Sequence, residues 1–205
     1  MTFFQIKNLV YDSYLNWIGM QAFTQKGDNF RGVMGLGERT QQSLFYEDGT
    51  YSMWSFDRPS TLEDGQAPGK NSYGVHPFFM YQHNANHWVG ILVKQAQAQD
   101  WQIENDRDNG VVTVRQIATG GITDIYVIFK GQSPDSVLGF YQQIIGKPVL
   151  LPPWALGWHQ CKYCYRNLDE YRAVVENYNK YGIPLDAQWA DIDYMDNYRI
   201  FTVDE

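Results

Sequence analysis

The chain has 205 residues, of which 44% are hydrophobic and 19% charged, and its net charge is −7. So much apolar and aromatic material excludes a disordered tail. The negative charge argues against the clustered Lys and Arg side chains with which a protein binds nucleic acid or an anionic membrane. No run approaches the ~20 apolar residues of a membrane-spanning helix. The start, MTFFQIKNLVYD, lacks a signal-peptide pattern, so we expect a signal peptide to be absent or to lie upstream.

Aromatic side chains are unusually frequent, with 7 Trp, 15 Tyr and 11 Phe. Their flat faces can stack on sugar rings, and they also fill the cores of β-sandwiches. Composition alone leaves both interpretations open.

The chain up to Phe129 has the pattern of β structure, with short β-branched and aromatic runs separated by Gly, Asn and Asp turns. Gly120 and Gly121 can adopt a positive φ, so the strands on either side of them are predicted to form a hairpin. Residues 57–72 are rich in turn formers and are predicted to form a long loop. An antiparallel sandwich is therefore expected. The predicted strands are residues 33–36, 51–54, 77–82, 88–94, 112–117 and 122–129.

The hydrophobic period becomes helical after residue 133. The predicted helix ends at Gly146 and Pro148, which stop helices well. Its apolar face consists of Val137, Phe140, Tyr141 and Ile144.

A strand–helix–strand pattern follows. WALGWHQ is typical of a strand buried on both faces. The next segment, NLDEYRAVVENYNKYG, predicts a helix with Asn167 and Glu170 as its capping pair and Gly182 as its C-terminal cap. LDAQWADID predicts a second strand, parallel to the first. One such unit covers neither the faces nor the edges of a sheet, so we expect the sheet to continue beyond Glu205.

Asp191 and Asp193 follow the second predicted parallel strand, the position at which α/β barrels build their sites. Alternation along a strand would place both carboxylates on one face and Ile192 on the other. A solvated acidic loop is the alternative interpretation.

Three other motifs point to chemistry less strongly. Cys161 and Cys164 form a CxxC, which suits a redox dithiol or half a zinc site, yet no second pair accompanies it. His83 and His87 lie in HNANH between two predicted strands, which favours a surface turn over a metal site. The Gly residues of GLG lack the third glycine of a dinucleotide loop and favour a tight strand bend.

The combination of LPPWALGWHQCKYCY, GIPLDAQWADIDYMDNYRIFT and the upstream GLGER, WSFD and YGVHPFF closely resembles glycoside hydrolase family 31. The resemblance runs in order from about Val33 to the end of the chain. That family includes lysosomal and intestinal α-glucosidases and the catalytic subunit of the endoplasmic-reticulum glucosidase.

The resemblance implies four substrate-binding residues. Asp191 matches the Asp that accepts hydrogen bonds from hydroxyls of the sugar in the cleaved position, and Ile192 matches its apolar neighbour. Tyr163 matches an aromatic wall of the pocket. Asp57 matches a loop Asp that contacts substrate, although Phe56 replaces the usual polar or basic residue before it.

The resemblance also implies an α+β multidomain fold. Residues 1–133 are expected to form a galactose-mutarotase-like β-sandwich and residues 134–150 a linker helix. Residues 151–205 are expected to form the first βαβ unit of an incomplete (β/α)8 TIM barrel. The family's nucleophile and acid/base carboxylates are expected downstream of the chain, which then holds no catalytic residue of its own.

Two functions remain in view. The chain is expected to be the N-terminal portion of a retaining α-glucosidase, acting on an α-glucoside oligosaccharide or maltose-like substrate without a metal or organic cofactor. The alternative is a non-catalytic carbohydrate-binding or degenerate remnant. By resemblance, the compartment is expected to be lysosomal, secretory or extracellular.

Overall fold

The computed structural model describes residues 2–11, 15–39, 43–55 and 71–205. The chain forms two compact units, Met1–Lys147 (unit 1) and Pro148–Glu205 (unit 2).

Two antiparallel sheets make up most of the described part of unit 1. Their orders are β1-β2-β8-β7-β4 and β3-β5-β6-β9. The strands are β1 (Phe4–Tyr11), β2 (Asn16–Phe23), β3 (Val33–Gly35), β4 (Gly49–Met53), β5 (Phe78–Asn84), β6 (His87–Lys94), β7 (Gln99–Asp106), β8 (Val111–Ala118) and β9 (Asp124–Gly131).

Side chains of both sheets share one hydrophobic core. In β8 every second side chain is buried, which is the period of a strand with one face on a core. Trp101 of β7 and Phe79 of β5 meet edge to face between the two sheets, with ring centroids 6.0 Å apart. Both side chains are fully buried. Unit 1 is therefore an antiparallel sandwich.

The sequence located six of these strands to within a few residues, and it missed β1, β2 and β7. The predicted hairpin is wrong, because β8 and β9 belong to different sheets. β8 pairs with β2 on one edge and β7 on the other, so neither edge is open to β9. Gly120 and Gly121 do adopt positive φ, at 107° and 85°, in the turn that carries the chain from one sheet to the other.

The predicted helix forms as α1 (Pro134–Ile145) and packs on the outer face of β6 and β9. Its N-terminus is a capping box in which Ser133 and Ser136 each bond the backbone N–H of the other. Val137 is fully buried, and a Cβ on Gly131 would lie 2.2 Å from one of its methyl groups. The absence of a side chain at Gly131 therefore lets the helix approach the sheet.

Unit 2 contains one strand–helix–strand unit. β10 (His159–Gln160) and β11 (Ala187–Gln188) are parallel, and α2 (Leu168–Lys180) lies between them in the chain. Asn167 caps α2 as predicted, by accepting from the Glu170 N–H at 3.0 Å. Gly182 has φ +65° just past the C-cap, which also agrees with the sequence.

Both strands of this unit are much shorter than predicted. Residues Pro153–Leu156 form a 3-10 helix at the start of the WALGWHQ run, and His159–Gln160 are its paired residues. Pro153 has a fixed φ and no N–H, so it favours a first helical turn over a strand interior. Trp154 and Trp158 are each 58% exposed in this chain, which agrees with the expectation that a single strand–helix–strand unit leaves its sheet uncovered.

The second strand ends before the two Asp residues. Ile192–Tyr194 form a 3-10 helix, so the predicted alternation of Asp191, Ile192 and Asp193 along a strand is wrong. The Asp191 carboxylate accepts from the Ile192 N–H, and this local bond stops the extended backbone at that point.

Candidate functional site

The candidate site lies at the carboxyl ends of β10 and β11. His159 pairs with Ala187, and Gln160 pairs with Gln188. The Asp186 carboxylate fixes the entry to both strands by accepting from the Trp158 N–H at 2.8 Å. Parallel pairing places the residues that follow each strand at the same edge of the sheet. The segments CKYCY and ADIDYMD therefore become neighbours.

Asp191 is half-buried and faces the first of these segments. One carboxylate oxygen accepts from the Ile192 N–H at 2.7 Å. The other lies 3.9 Å from Cys161 Sγ, within reach of its weak S–H donor. Ile192, the next residue, is 41% exposed and presents an apolar side chain beside the carboxylate.

Asp193 makes two further contacts between these segments. Its Oδ2 accepts from the backbone N–H of Cys164 at 2.8 Å, and its Oδ1 accepts from the Tyr198 hydroxyl at 3.4 Å. The neighbouring Tyr163 side chain and the negative charge of Asp193 raise the pKa of Tyr198.

Tyr163 is 53% exposed, so its ring is open to a ligand at this edge. Tyr171, in the first turn of α2, lies close to both carboxylates. Desolvation raises its pKa, and the charges of Asp193 and Asp191 raise it further.

Three of the four residues predicted to bind substrate lie in this cluster: Tyr163, Asp191 and Ile192. The fourth, Asp57, lies outside the described residues. The cluster offers acceptors, phenols and an apolar wall, a combination suited to a polyhydroxylated ring.

Sequence patterns assign no role to Tyr198, and they identify Asp193 merely as a second acidic residue on a strand. The contact between Asp193 and Cys164 joins residues 29 positions apart. No local pattern encodes such a contact, because it depends on how the two strands pair.

The other motifs contribute less chemistry. Cys161 and Cys164 are both free thiols. Within the described ranges, no three His, Cys, Asp or Glu side chains are placed to hold a metal ion. The surface turn predicted for HNANH forms at residues 85–86 between β5 and β6. His83 itself lies in β5, is 6% exposed and bonds the Phe23 carbonyl at 2.7 Å. Gly35 does form a tight bend, with φ +119°. Of the helices in the described ranges, none combines the length and apolarity needed to cross a membrane.

Comparison with known proteins connects this chain to one protein family. A profile described as the glycosyl hydrolases family 31 TIM-barrel domain matches residues 148–205. A probable alpha/beta-glucosidase of Arthroderma benhamiae is 35% identical over 174 residues, which cover 84% of this chain and 19% of the relative. The chain thus spans about a fifth of the length of the curated relatives it matches.

Solved structures show the same fold. The family 31 alpha-glucosidase of Bacteroides thetaiotaomicron superposes with a TM-score of 0.68 at 26% identity, covering 89% of this chain and 29% of that one. A complex of ER glucosidase II, containing its catalytic subunit, gives a TM-score of 0.73 at 20% identity, covering 93% and 22%. The sequence, the profile and the fold agree, and the chain belongs to glycoside hydrolase family 31, where it resembles the α-glucosidases.

Proposed function

We propose that this chain supplies the sugar-holding wall of a retaining α-glucosidase that hydrolyses α-glucoside oligosaccharides such as maltose. The observation that carries the proposal is the Asp191 carboxylate, held half-buried at the carboxyl end of β11 beside Ile192 and Cys161. The names of the relatives, which include alpha-glucosidases, support the choice of substrate class.

Asp191 has acceptor capacity to spare. An ionised carboxylate offers about four lone-pair sites. One of them accepts the Ile192 N–H and another faces the Cys161 thiol, so two remain for sugar hydroxyls. A sugar that lacks the matching hydroxyl leaves the carboxylate without its partner, and this loss is the source of discrimination.

Ile192 and Tyr163 contribute the apolar part of the recognition. Both side chains are substantially exposed at the same end of the parallel pair. An aromatic face and an aliphatic side chain suit the C–H faces of a pyranose, while the carboxylate takes its hydroxyls. Asp57 is proposed to add a contact from the loop that the sequence predicts for residues 57–72.

The chemistry itself needs two more carboxyl groups. Retaining hydrolysis uses a nucleophile and an acid/base residue about 5–5.5 Å apart, and it needs no metal or organic cofactor. Asp191 and Asp193 each accept a backbone N–H, which suits holding a geometry. We assign neither of them to bond cleavage and place the nucleophile and the acid/base residue outside this chain.

The domain organisation follows the same proposal. Residues 1–133 would be a galactose-mutarotase-like sandwich, 134–150 a linker helix and 151–205 the start of a (β/α)8 barrel. The parallel β10–α2–β11 unit and the profile match to residues 148–205 support the barrel assignment.

The test uses the full-length gene product that contains this chain, with p-nitrophenyl α-D-glucopyranoside as substrate. Asp191→Ala is expected to lower kcat/KM roughly 100-fold, since it removes a charged acceptor from the sugar. Asp169→Ala is the matched control, because Asp169 is exposed on α2 and pairs with Arg172. Wild-type kcat/KM in Asp191→Ala would overturn the assignment.

A second measurement addresses the alternative, non-catalytic function. The purified 205-residue chain alone is expected to show no hydrolysis of the same substrate. A full-length protein that binds maltose but hydrolyses no α-glucoside would replace the glycosidase with a carbohydrate-binding function.

A further inference from the structure

Asp193 connects two segments of unit 2 that lie far apart in the chain. Oδ2 accepts the Cys164 N–H at 2.8 Å, and Oδ1 accepts the Tyr198 hydroxyl at 3.4 Å. The side chain is half-buried. Its bond to a backbone N–H 29 positions away makes Asp193 well placed to join the two segments.

The joined segments are the two that carry the proposed sugar contacts. Cys164 immediately follows Tyr163 in the segment after β10. Asp193 lies two residues after Asp191, in the same 3-10 turn that Asp191 caps. A bond from Asp193 to the Cys164 N–H therefore fixes the separation of the aromatic wall and the carboxylate.

The backbone at Cys164 shows that this arrangement is imposed by its surroundings. Its φ is +78°, in the left-handed region that costs free energy for any residue with a Cβ. Such a conformation persists where neighbouring contacts hold it. The hydrogen bond from the Cys164 N–H to Asp193 is a contact of this kind.

Tyr198 makes a second contact with Asp193. Its hydroxyl donates to Asp193 Oδ1 at 3.4 Å. The Asp193 carboxylate thus contacts both the backbone of the segment that carries Tyr163 and the Tyr198 hydroxyl. Displacement of the carboxylate would remove both contacts at once.

We propose that Asp193 is a positioning residue for the sugar site, which acts by holding the Tyr163 segment and the Asp191 segment in register. The inference rests on the proposed function, because the benefit of the register is sugar binding. Asp193 itself touches no sugar in this assignment. Its removal should weaken binding of the glucose ring while the fold of unit 2 persists.

The experiment compares Asp193→Leu with Asp193→Asn in the full-length protein. Leu keeps the branching at Cγ and loses both acceptors. Asn keeps one amide oxygen that can accept the Cys164 N–H. For p-nitrophenyl α-D-glucopyranoside, Asp193→Leu is expected to raise KM on the order of tenfold, the effect of losing one charge-assisted bond. Asp193→Asn is expected to restore most of that loss. Asp169→Leu is the matched control, with an unchanged KM.

A residue that serves the fold alone would give a different pattern. It would lower the melting temperature and the active fraction of the enzyme while KM stayed at the wild-type value. An unchanged KM in Asp193→Leu would overturn the proposal, and so would equal impairment of the Leu and Asn variants.

Hydrogen exchange separates this inference from the proposed function. In the same full-length proteins, Asp193→Leu is expected to speed exchange of the Cys164 amide on the order of tenfold, and Asp193→Asn much less. This result would support the hydrogen bond between Asp193 and the Cys164 N–H as the link between the two segments, even if the wild-type protein hydrolysed no α-glucoside. Unchanged exchange in Asp193→Leu would overturn that link even in a fully active enzyme.

Discussion

The two units are held by different kinds of contact. Both sheets of unit 1 contribute fully buried side chains to a shared core. Among the described residues of unit 2, Tyr165 is the one buried hydrophobic side chain, and Trp158 and Trp189 are more than half exposed. Within this chain, buried apolar side chains are concentrated in unit 1, whereas the contacts described in unit 2 are mostly hydrogen bonds.

Unit 2 contains a chain of side-chain hydrogen bonds, here called the polar relay. The Trp158 indole N–H donates to the Tyr178 hydroxyl at 3.0 Å, which donates to Gln160 Oε1 at 2.7 Å. The Gln160 amide then donates to the Tyr165 hydroxyl at 3.1 Å. The relay ties α2 to β10. The same kind of contact, through Asp193, arranges the candidate site, so loss of the Asp193 acceptors should disturb it.

The largest effect is expected in the sandwich. Trp101→Ala should lower the free energy of unfolding of unit 1 by about 3–5 kcal/mol, because it empties a fully buried site beside Phe79. Urea denaturation, followed by hydrogen exchange of β7 and β8, measures the change. Trp54→Ala is the matched control, since Trp54 is 69% exposed at the end of β4. Comparable losses in the two variants would contradict a core-dominated unit 1.

Alkaline pH gives the next effect. Burial raises the pKa of Tyr46 to about 12, above the value near 10 of an unfolded tyrosine. Between these values the unfolded state loses a proton that the folded state retains, so stability falls as pH rises from 10 towards 12. One such group contributes a slope of about 1.4 kcal/mol per pH unit.

Tyr46→Phe tests that slope. The variant should be less stable than wild type at pH 8, where it has lost the hydroxyl bond to the Gly35 carbonyl. It should then lose less stability between pH 10 and 12. Burial also raises the pKa of Tyr81, so a reduced slope is expected to remain. Parallel curves for the variant and wild type across this range would exclude Tyr46 as a titrating group.

Sequence patterns predict the strands of unit 1 better than the pairing of those strands. Regular alternation was visible in β8, and Trp101 and Ile103 offered the same signal in β7, although polar neighbours obscured it. The choice of partner for β9 was a different matter. It depends on which edge of which sheet is free, and the Gly120–Gly121 turn suits either a hairpin or a change of sheet.

In unit 2 the local signals were reliable and the extended ones were not. The capping role of Asn167 and the positive φ of Gly182 follow from short-range chemistry and were predicted. The runs of apolar residues predict longer strands than those that form. A 3-10 helix begins at Pro153, ahead of the first strand, and the Asp191 side chain caps another 3-10 helix after the second. The residues of the site could be named, but the bond between Asp193 and Cys164 needed the tertiary structure.

The N-cap of α2 should contribute measurably to the stability of that helix. Asn167→Ala is expected to cost about 1 kcal/mol of helix stability, because the Glu170 N–H loses its acceptor. Hydrogen exchange of the first turn of α2 reports the change. Asn179→Ala lies near the end of the same helix, where the higher helix propensity of Ala should leave stability equal or slightly raised. Equal costs for the two variants would rule out a specific role for the cap.

The smallest effect is expected at Cys164 in unit 2, and the same substitution at Leu36 in unit 1 should have a larger effect of opposite sign. Cys164 and Leu36 both adopt left-handed φ, at +78° and +48°. Cys164 is half-buried and makes its bond to Asp193 through the backbone, whereas the Leu36 side chain is fully buried in the sandwich core. Glycine removes the backbone strain at either position, but at Leu36 it also removes a core side chain.

Cys164→Gly should therefore raise stability by about 0.5–1 kcal/mol, the relief of strain less the extra chain entropy of glycine. Leu36→Gly should lower it by at least about 2–5 kcal/mol. Chemical denaturation of the full-length protein, resolved by hydrogen exchange in each unit, measures both. If Cys164→Gly were as harmful as Leu36→Gly, side-chain burial would matter equally in the two units. The different side-chain burial of Cys164 and Leu36 would then fail to explain the effect of glycine.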